Sequence, residues 1–390
     1  MKLFPLKFKG DKKIWFLLLI LAIISILSVY SSTYRLTMRE GNLLEVISRH
    51  VLFLFLGFLF TYFLHNISLK SYRLITPVVL IIMIICLTIL FFSQGEGSVA
   101  KRWMFSRSFQ PSDVTKVVMV VYLAIVLSND LGGNVKHFFW WVIFPIFLVC
   151  ALIIRSHTSN AMIIGGTSML MVFMGASNRK YQIVSVVFVF FIMTFYLFYH
   201  KDIGRGETGS NRVKAWITTT FCSETKTETT AEGKEKPKYT GYQQAETAKY
   251  AIVSGGLFRI APGKSVYRKT LSEAHNDYIF AMIVEEYGLT GGIFVISIYL
   301  ALFYRIIRVV KKCTIPFTAL LLSGLLIVII SQTFIHIGVS VGGLPITGQN
   351  LPMISTGGTS IIITCGAFGM ILAASRIAEE EEKKLRIKAK

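Results

Sequence analysis

The chain has 390 residues, of which 53% are hydrophobic and only 16% charged, and its mean hydropathy is +0.60. Soluble domains carry about a quarter charged residues, so a water-soluble globule is excluded. The 41 Lys and Arg against 21 Asp and Glu leave a net charge of +20, which in so apolar a chain points to anionic lipid and not to nucleic acid.

A basic stretch, residues 1–13, precedes the first apolar run. Nothing like a small-residue cleavage site follows Tyr30, so the run reads as a retained anchor and not as a signal peptide. A spanning helix needs roughly 20 mostly apolar residues, and such runs recur at Trp15–Tyr30, Val51–Leu64, Leu74–Phe92, Val114–Leu127, Phe138–Ile154, Ala161–Met174, Ile183–Tyr199, Tyr278–Tyr304, Phe317–Gly338 and Thr359–Ala374. Backbone in lipid must satisfy its own hydrogen bonds, so each run is expected to be helical, and a bundle tolerates Pro145 in the fifth. The fold class is therefore all-α: a single polytopic membrane domain over residues 1–390 with about ten transmembrane helices.

Lys and Arg in short loops set the orientation. With the N-terminus cytoplasmic, Lys70, Arg73, Lys136, Arg179, Lys180, Arg305, Arg308, Lys311 and Lys312 fall inside, against a smaller group outside that includes Arg35, Arg39, Arg49 and Arg155. An even number of spans puts both termini in the cytoplasm. The charged tail, residues 376–390, reads as a solvated cytoplasmic extension. Residues 201–277, between the seventh and eighth spans, form a large extracytoplasmic loop. Its middle, Cys222–Lys238, is polar and poor in aromatics and is expected to be mobile. Its end, "GYQQAETAKYAIVSGGLFRIAPGKS", mixes aromatic, small and glycine residues and suits a segment packed at the membrane surface.

Of the five cysteines, Cys86, Cys150 and Cys365 fall in spans, Cys313 lies inside and Cys222 alone outside, so no disulfide framework is expected. No Cys/His spacing suits a metal. "APGKS", Ala261–Ser265, is similar to the end of a phosphate-binding P-loop, but Phe258 stands where that loop needs Gly.

The densest chemistry is "EAHNDYIF", Glu273–Phe280, followed by Glu285 and Glu286. The plain reading is a helix cap: Asn276 or Asp277 closes the helix starting near Tyr278, its charge favoured by the dipole. Capping does not account for Glu285 and Glu286, which lie roughly 12 Å further along that helix. Ionisable groups at such depth tend to face a bundle interior or a wet cavity, and carboxylates converging at the outer rim point to a reaction or a ligand.

"EAHNDYIFAMIVEEYG" resembles the signature of the SEDS family, the multi-spanning glycan polymerases that comprise an FtsW and a RodA branch. Glu273, His275, Asp277, Ile279, Phe280, Ala281, Glu285, Glu286 and Gly288 match it. "KRWMFSRSFQPSDVTK" is similar to a second family segment through Arg102, Trp103, Gln110, Pro111, Ser112 and Lys116. "GYQ" (Gly241–Gln243), "SGGLF" (Ser254–Phe258) and "GVSVGGLPITGQNLPMISTGGTS" match further segments. The chain departs from the family at four places: Asp113 stands where the family has Glu, "RSHTSNA" (Arg155–Ala161) replaces a Gln-Pro-Asp-x-Gly-Thr segment, His336 replaces Asn, and Thr347 replaces Lys. Ala274 and "GQNLPMIS" side with the FtsW branch over the RodA branch.

The resemblance implies a peptidoglycan glycosyltransferase that polymerises lipid II in the bacterial cytoplasmic membrane, for septal synthesis at division in the FtsW reading and for elongation in the RodA reading. It implies Asp277 as general base. Lys101, Arg102, Lys116 and Arg212 would hold the pyrophosphate, supported by Asp113, Glu273, His275, Glu286 and Ser360. Headgroup snorkelling is the plainer reading of any one of these cations; for Lys116 it is an intrahelical pair with Asp113. A helix cap by Ser112 or Asp113 is the plainer reading at the fourth span. No cofactor or metal is required, and a divalent cation is compatible with the reaction. The implied partner is a class B penicillin-binding protein within the division or elongation machinery. A lipid II flippase and a non-catalytic division scaffold are the alternatives.

Overall fold

The computed structural model describes residues 10–33, 43–93, 104, 109–129, 134–154, 156–176, 178–187, 216–217, 227–229, 235–237, 242–259, 262–271 and 274–388. Where described, every predicted span is helical: α1 (Lys12–Ser32), α2 (Leu43–Asn66), α3 (Leu69–Phe92), α4 (Pro111–Ser128), α5 (Val135–Ile154), α6 (Thr158–Gly175), α7 (179–187), α9 (Ile279–Val310), α10 (Pro316–Ser340) and α11 (Thr359–Lys388). Eight of these, all but α6 and α7, are long and apolar enough to cross a membrane. α6 carries Asn160, Thr167 and Ser168, which lower its hydropathy; it packs inside against α4, α5 and α10, where those groups are buried. The remainder of the predicted seventh span lies outside the described residues.

The outer face explains why this bundle needs lipid. Leu74 is 79% exposed, Phe92 78%, and Phe16 and Phe55 64% each. In water each such side chain forgoes about 1.5–3 kcal/mol of burial; in hydrocarbon it forgoes nothing. The core runs through α1–α7 and α9–α11. Pro145 removes the N–H that would bond the carbonyl of Trp141. A π-helical turn, Phe139–Ile143, precedes it, and the Tyr122 hydroxyl donates to that carbonyl at 2.9 Å.

Buried Asp11 gathers one end of the bundle. It caps α1 through Lys13 N, pairs with Arg305 of α9 at 2.5 Å, and its own N–H donates to Ser375 of α11. α11 continues to Lys388, so the charged tail is helical where a solvated extension was expected. No Gly or Pro follows Gly369 to stop it, and Glu, Lys, Arg and Ala favour helix. Lys312–Glu382 (2.7 Å) and Thr314 Oγ1–Glu381 (2.6 Å) tie it to the α9–α10 turn.

In the large loop, two three-residue strands, β1 (Thr227–Thr229) and β2 (Glu235–Pro237), pair antiparallel within the stretch expected to be mobile. A two-stranded ribbon is marginal alone, and composition gave no sign of it. The end of the loop forms α8 (Tyr242–Gly255), packed on α9 and α10. Gly255 is required there, because a Cβ would sit 2.1 Å from the Val284 carbonyl oxygen. Gly255→Ala is expected to push α8 off α9 at a cost of about 1–3 kcal/mol, seen as a lowered detergent melting temperature; an unchanged melt refutes the contact.

α9 is broken at Gly288, whose φ of 71° and ψ of −178° are open only to glycine. The break frees the N–H groups of Leu289 and Thr290, which donate to the carbonyls of Gly256 and Leu257 in "SGGLF". From Leu289 to Val310 there are 22 residues, about 33 Å of helix, already enough for a hydrocarbon core of about 30 Å. Ile279–Tyr287 is thus a separate outer segment. Glu285 and Glu286 sit on it before the break, both buried in the bundle as ionisable groups so far along the helix were expected to be.

Candidate active site

At the end opposite Asp11, a cavity of about 330 Å³ opens among helix N-termini. Gln110, Asp113 and Lys116 come from the start of α4, His157 and Asn160 from that of α6, Asn276 and Asp277 from the turn before α9, and Ser360 from the first turn of α11. Gln332 of α10 and Gly348, Gln349 and Asn350 of the following loop complete it. Each helix beginning here turns its unpaired N–H groups and the positive end of its dipole this way, so the site favours an anion despite its two aspartates.

Asp277 ends a tight turn, residues 274–278, and is seated from two sides. Ala274 and Tyr278 pack with Leu271, Ala248 and Val339 in a small apolar cluster. From the other side the α10–α11 loop grips the backbone: Ser355 Oγ donates to the carbonyl of Asn276 at 2.8 Å, and Thr356 N and Oγ1 donate to that of His275 at 3.1 and 2.9 Å. α9 begins after Tyr278, whose side chain makes no cap hydrogen bond. Likewise α4 begins after Gln110 with Pro111 in its first turn and no side-chain cap, so Ser112 and Asp113 are free of that duty.

Asp113 and Lys116 form the expected pair at 2.9 Å, both buried. Asn160 joins them: its Oδ1 accepts from Lys116 Nζ (3.2 Å) and Gln349 Nε2 (2.9 Å), and its Nδ2 donates to Ser112 Oγ (2.8 Å) and Asp113 Oδ1 (3.2 Å). The His157 ring accepts from Asn160 N as the cap of α6. The motif match singled out Gln110 but gave it no role. Asn160, His157, Gln332, Gln349 and Asn350 were not singled out for the site; the departure at Arg155–Ala161 marked the first two, and Gln349 and Asn350 lie in the matched segment "GQNLPMIS".

Of the residues expected to act together, Asp277, Asp113, Lys116 and Ser360 line the cavity. Glu286 does not: it accepts from the Ser31 hydroxyl of α1. Its neighbour Glu285 accepts from Ser265 Oγ (2.5 Å), Val266 N (2.7 Å) and Tyr267 N (3.3 Å), fastening the loop to the bundle. His275 turns its carbonyl to Thr356, and burial pulls its imidazole from 6.5 down to about 4, so it is neutral near pH 7. Lys101, Arg102, Arg212 and Glu273 lie outside the described residues. Among the described residues no cluster of three or more His, Cys, Asp or Glu is arranged to hold a metal.

The family model of the FtsW/RodA/SpoVE cell cycle proteins matches residues 11–380. The chain is 27% identical to a probable peptidoglycan glycosyltransferase FtsW of Marinomonas mediterranea, covering 95% of this chain and 91% of the relative. It is 30% identical to the protein of the same name from Geobacter metallireducens, covering 74% of each. Among solved structures it resembles a chain from a work on the coordination of polymerization and crosslinking by a peptidoglycan synthase complex, with a TM-score of 0.73 and 18% identity over 95% of this chain and 98% of that one. It also resembles the rod shape determining protein RodA of Thermus thermophilus, with a TM-score of 0.64 and 19% identity over 94% and 97% of the two chains.

Proposed function

The chain belongs to the FtsW/RodA/SpoVE family of cell cycle proteins, and from that premise we propose that it is a peptidoglycan glycosyltransferase polymerising lipid II at the outer face of the bacterial cytoplasmic membrane. The observation that carries the reading is that Asp277 and the buried ammonium of Lys116, itself paired with Asp113, line one cavity ringed by four helix starts and neutral amides.

The reaction needs a base at one hydroxyl and positive charge at a departing diphosphate. The acceptor GlcNAc 4-hydroxyl attacks C1 of the donor MurNAc, and undecaprenyl pyrophosphate leaves. An α-linked diphosphate becomes a β-1,4 bond in one inverting step, without a covalent enzyme intermediate. Asp277 takes the hydroxyl proton. Lys116 and the helix N-termini stabilise charge growing on the pyrophosphate, with Lys101, Arg102 and Arg212 proposed to extend that positive face. The amides of Gln110, Asn276, Gln332 and Asn350 suit the hydroxyl and acetamido groups of the sugars. Glu285 and Glu286 serve structurally, Glu285 by fastening Ser265–Tyr267 to α9 and Glu286 by tying α9 to Ser31 of α1. The FtsW relatives favour a septal role at division, and the likeness to a chain from a synthase complex favours a class B penicillin-binding protein as partner.

The test is polymerisation of labelled lipid II by the purified protein, with and without the cognate penicillin-binding protein. Glycan strands are expected. Their absence in both arms overturns the reading in favour of a flippase or a scaffold. The same assay divides the large loop: replacing Ser223–Pro237 with a short Gly/Ser linker is expected to leave the rate within about twofold, since few residues of so polar a stretch can offset their ordering. Loss of activity in folded protein gives the middle of the loop a working role.

A further inference from the structure

The four places where the sequence departs from its family lie far apart in the chain, yet the fold brings them into one hydrogen-bonded set. His336, buried in α10, donates from Nδ1 to the carbonyl of Gln349 at 2.7 Å. The Gln349 side chain donates to Asn160, and Asn160 donates to Asp113. One residue before Asn160, Ser159 Oγ donates to the carbonyl of Thr347 at 3.0 Å. Removing the His336, Gln349 or Asn160 side chain leaves a buried polar group without its partner. Together, the four rebuild one wall of the cavity.

Asn160 is the centre of that wall. An Asn offers two acceptor sites and two N–H donors, and Asn160 uses all four, on Lys116, Gln349, Ser112 and Asp113. Its orientation follows from its neighbours: turning the amide over sets its NH₂ against the Lys116 ammonium and its oxygen against the Asp113 carboxylate. It is 1% exposed and has no freedom to swing away. The Lys116 ammonium has three N–H groups; among the described residues Asp113 and Asn160 take two, which fixes the direction of the third.

We propose that Asn160 is a positioning residue that aims Lys116 and Asp113 at the substrate's diphosphate end, and that His336 sets Asn160 in place by holding Gln349. The proposal rests on the glycosyltransferase reading for the identity of that substrate, and on geometry alone for the coupling among residues.

The experiment measures kcat and KM for lipid II in four variants, with detergent melting curves as a check on folding. Asn160→Ala is expected to lower kcat by about 10- to 100-fold with KM within about threefold, because Lys116 remains present but loses its aim. His336→Leu is expected to lower kcat about 10-fold, and His336→Asn to stay within about twofold of the parent, because an Asn side chain also offers an N–H to the Gln349 carbonyl. Asn160→Asp keeps both acceptor positions and puts a second carboxylate against Asp113. Two carboxylates within hydrogen-bond reach retain a proton between them as pH falls, and that proton restores the lost donor. The groups facing this position are Asp113 and Lys116 on α4, Asp277 before α9, His157 at its own helix start and His336 behind Gln349. The rate of Asn160→Asp relative to the parent is therefore expected to rise from mildly alkaline to mildly acidic pH.

A parent-like kcat in folded Asn160→Ala overturns the proposal. If that variant does not fold, the His336 pair decides: equal rates in His336→Leu and His336→Asn overturn it, and rescue by Asn alone supports it. If the parent makes no glycan, the glycosyltransferase reading fails separately. The coupling is then read from acetylation of Lys116 by an amine-directed reagent, followed by mass spectrometry. A rate changed at least threefold by a folded position-160 variant or by His336→Leu supports the coupling, and parent-like rates overturn it.

Discussion

Asp277→Asn is expected to reduce lipid II polymerisation by about 10²- to 10⁴-fold, the range over which a positioned general base contributes. The substitution keeps the shape of the side chain and removes its basicity. The turn that holds it should survive, because the bonds from Ser355 and Thr356 to the carbonyls of Asn276 and His275 remain in the variant. The melting temperature should therefore stay close to the parent's while the rate collapses. His275, with its imidazole lowered to about 4, cannot take over as a base that titrates near neutrality. A parent-like rate in Asp277→Asn moves the base elsewhere in the cavity.

The second large effect belongs to the pair on α4. Lys116→Met is expected to abolish polymerisation and to cost about 3–5 kcal/mol of stability, because it leaves the buried Asp113 carboxylate without its counter-charge. The double variant Asp113→Asn/Lys116→Met removes both charges. It should regain most of the lost melting temperature, since replacing a buried pair outright is often neutral, and it should remain inactive for want of a cation at the leaving group. The two readouts separate two roles that a single substitution confounds. If the double variant polymerises lipid II, the pair is a structural strut. If Lys116→Met melts with the parent and keeps its activity, the pair does neither job.

Hydrophobic pattern alone determined the membrane architecture. Runs such as Leu74–Phe92 and Phe317–Gly338 have only one way to satisfy their backbone in lipid, and the helices formed there extend those limits by a few residues into polar flanks. The motif around Asp277 and the spacing of Asp113 and Lys116 were equally legible, because a turn before a helix and a three-residue separation along one are local facts.

What pattern does not encode is which helix starts meet. The carboxylates of Asp277 and Glu286 are near in sequence but part in space: Asp277, in the turn before α9, lines the cavity, whereas Glu286, nine residues on, turns to Ser31 of α1. Asn160 and Gln349 are 189 positions apart, yet they bond, because α6 and α10 pack side by side. α6 was legible as the run Ala161–Met174, but not that its buried polar residues face the packed interior of the bundle. The sequence by itself determined the membrane helices and singled out Asp277. Only packing decided which residues share a cavity with it, since a hydrogen bond between distant residues depends on how helices cross, and no periodicity within either helix records that.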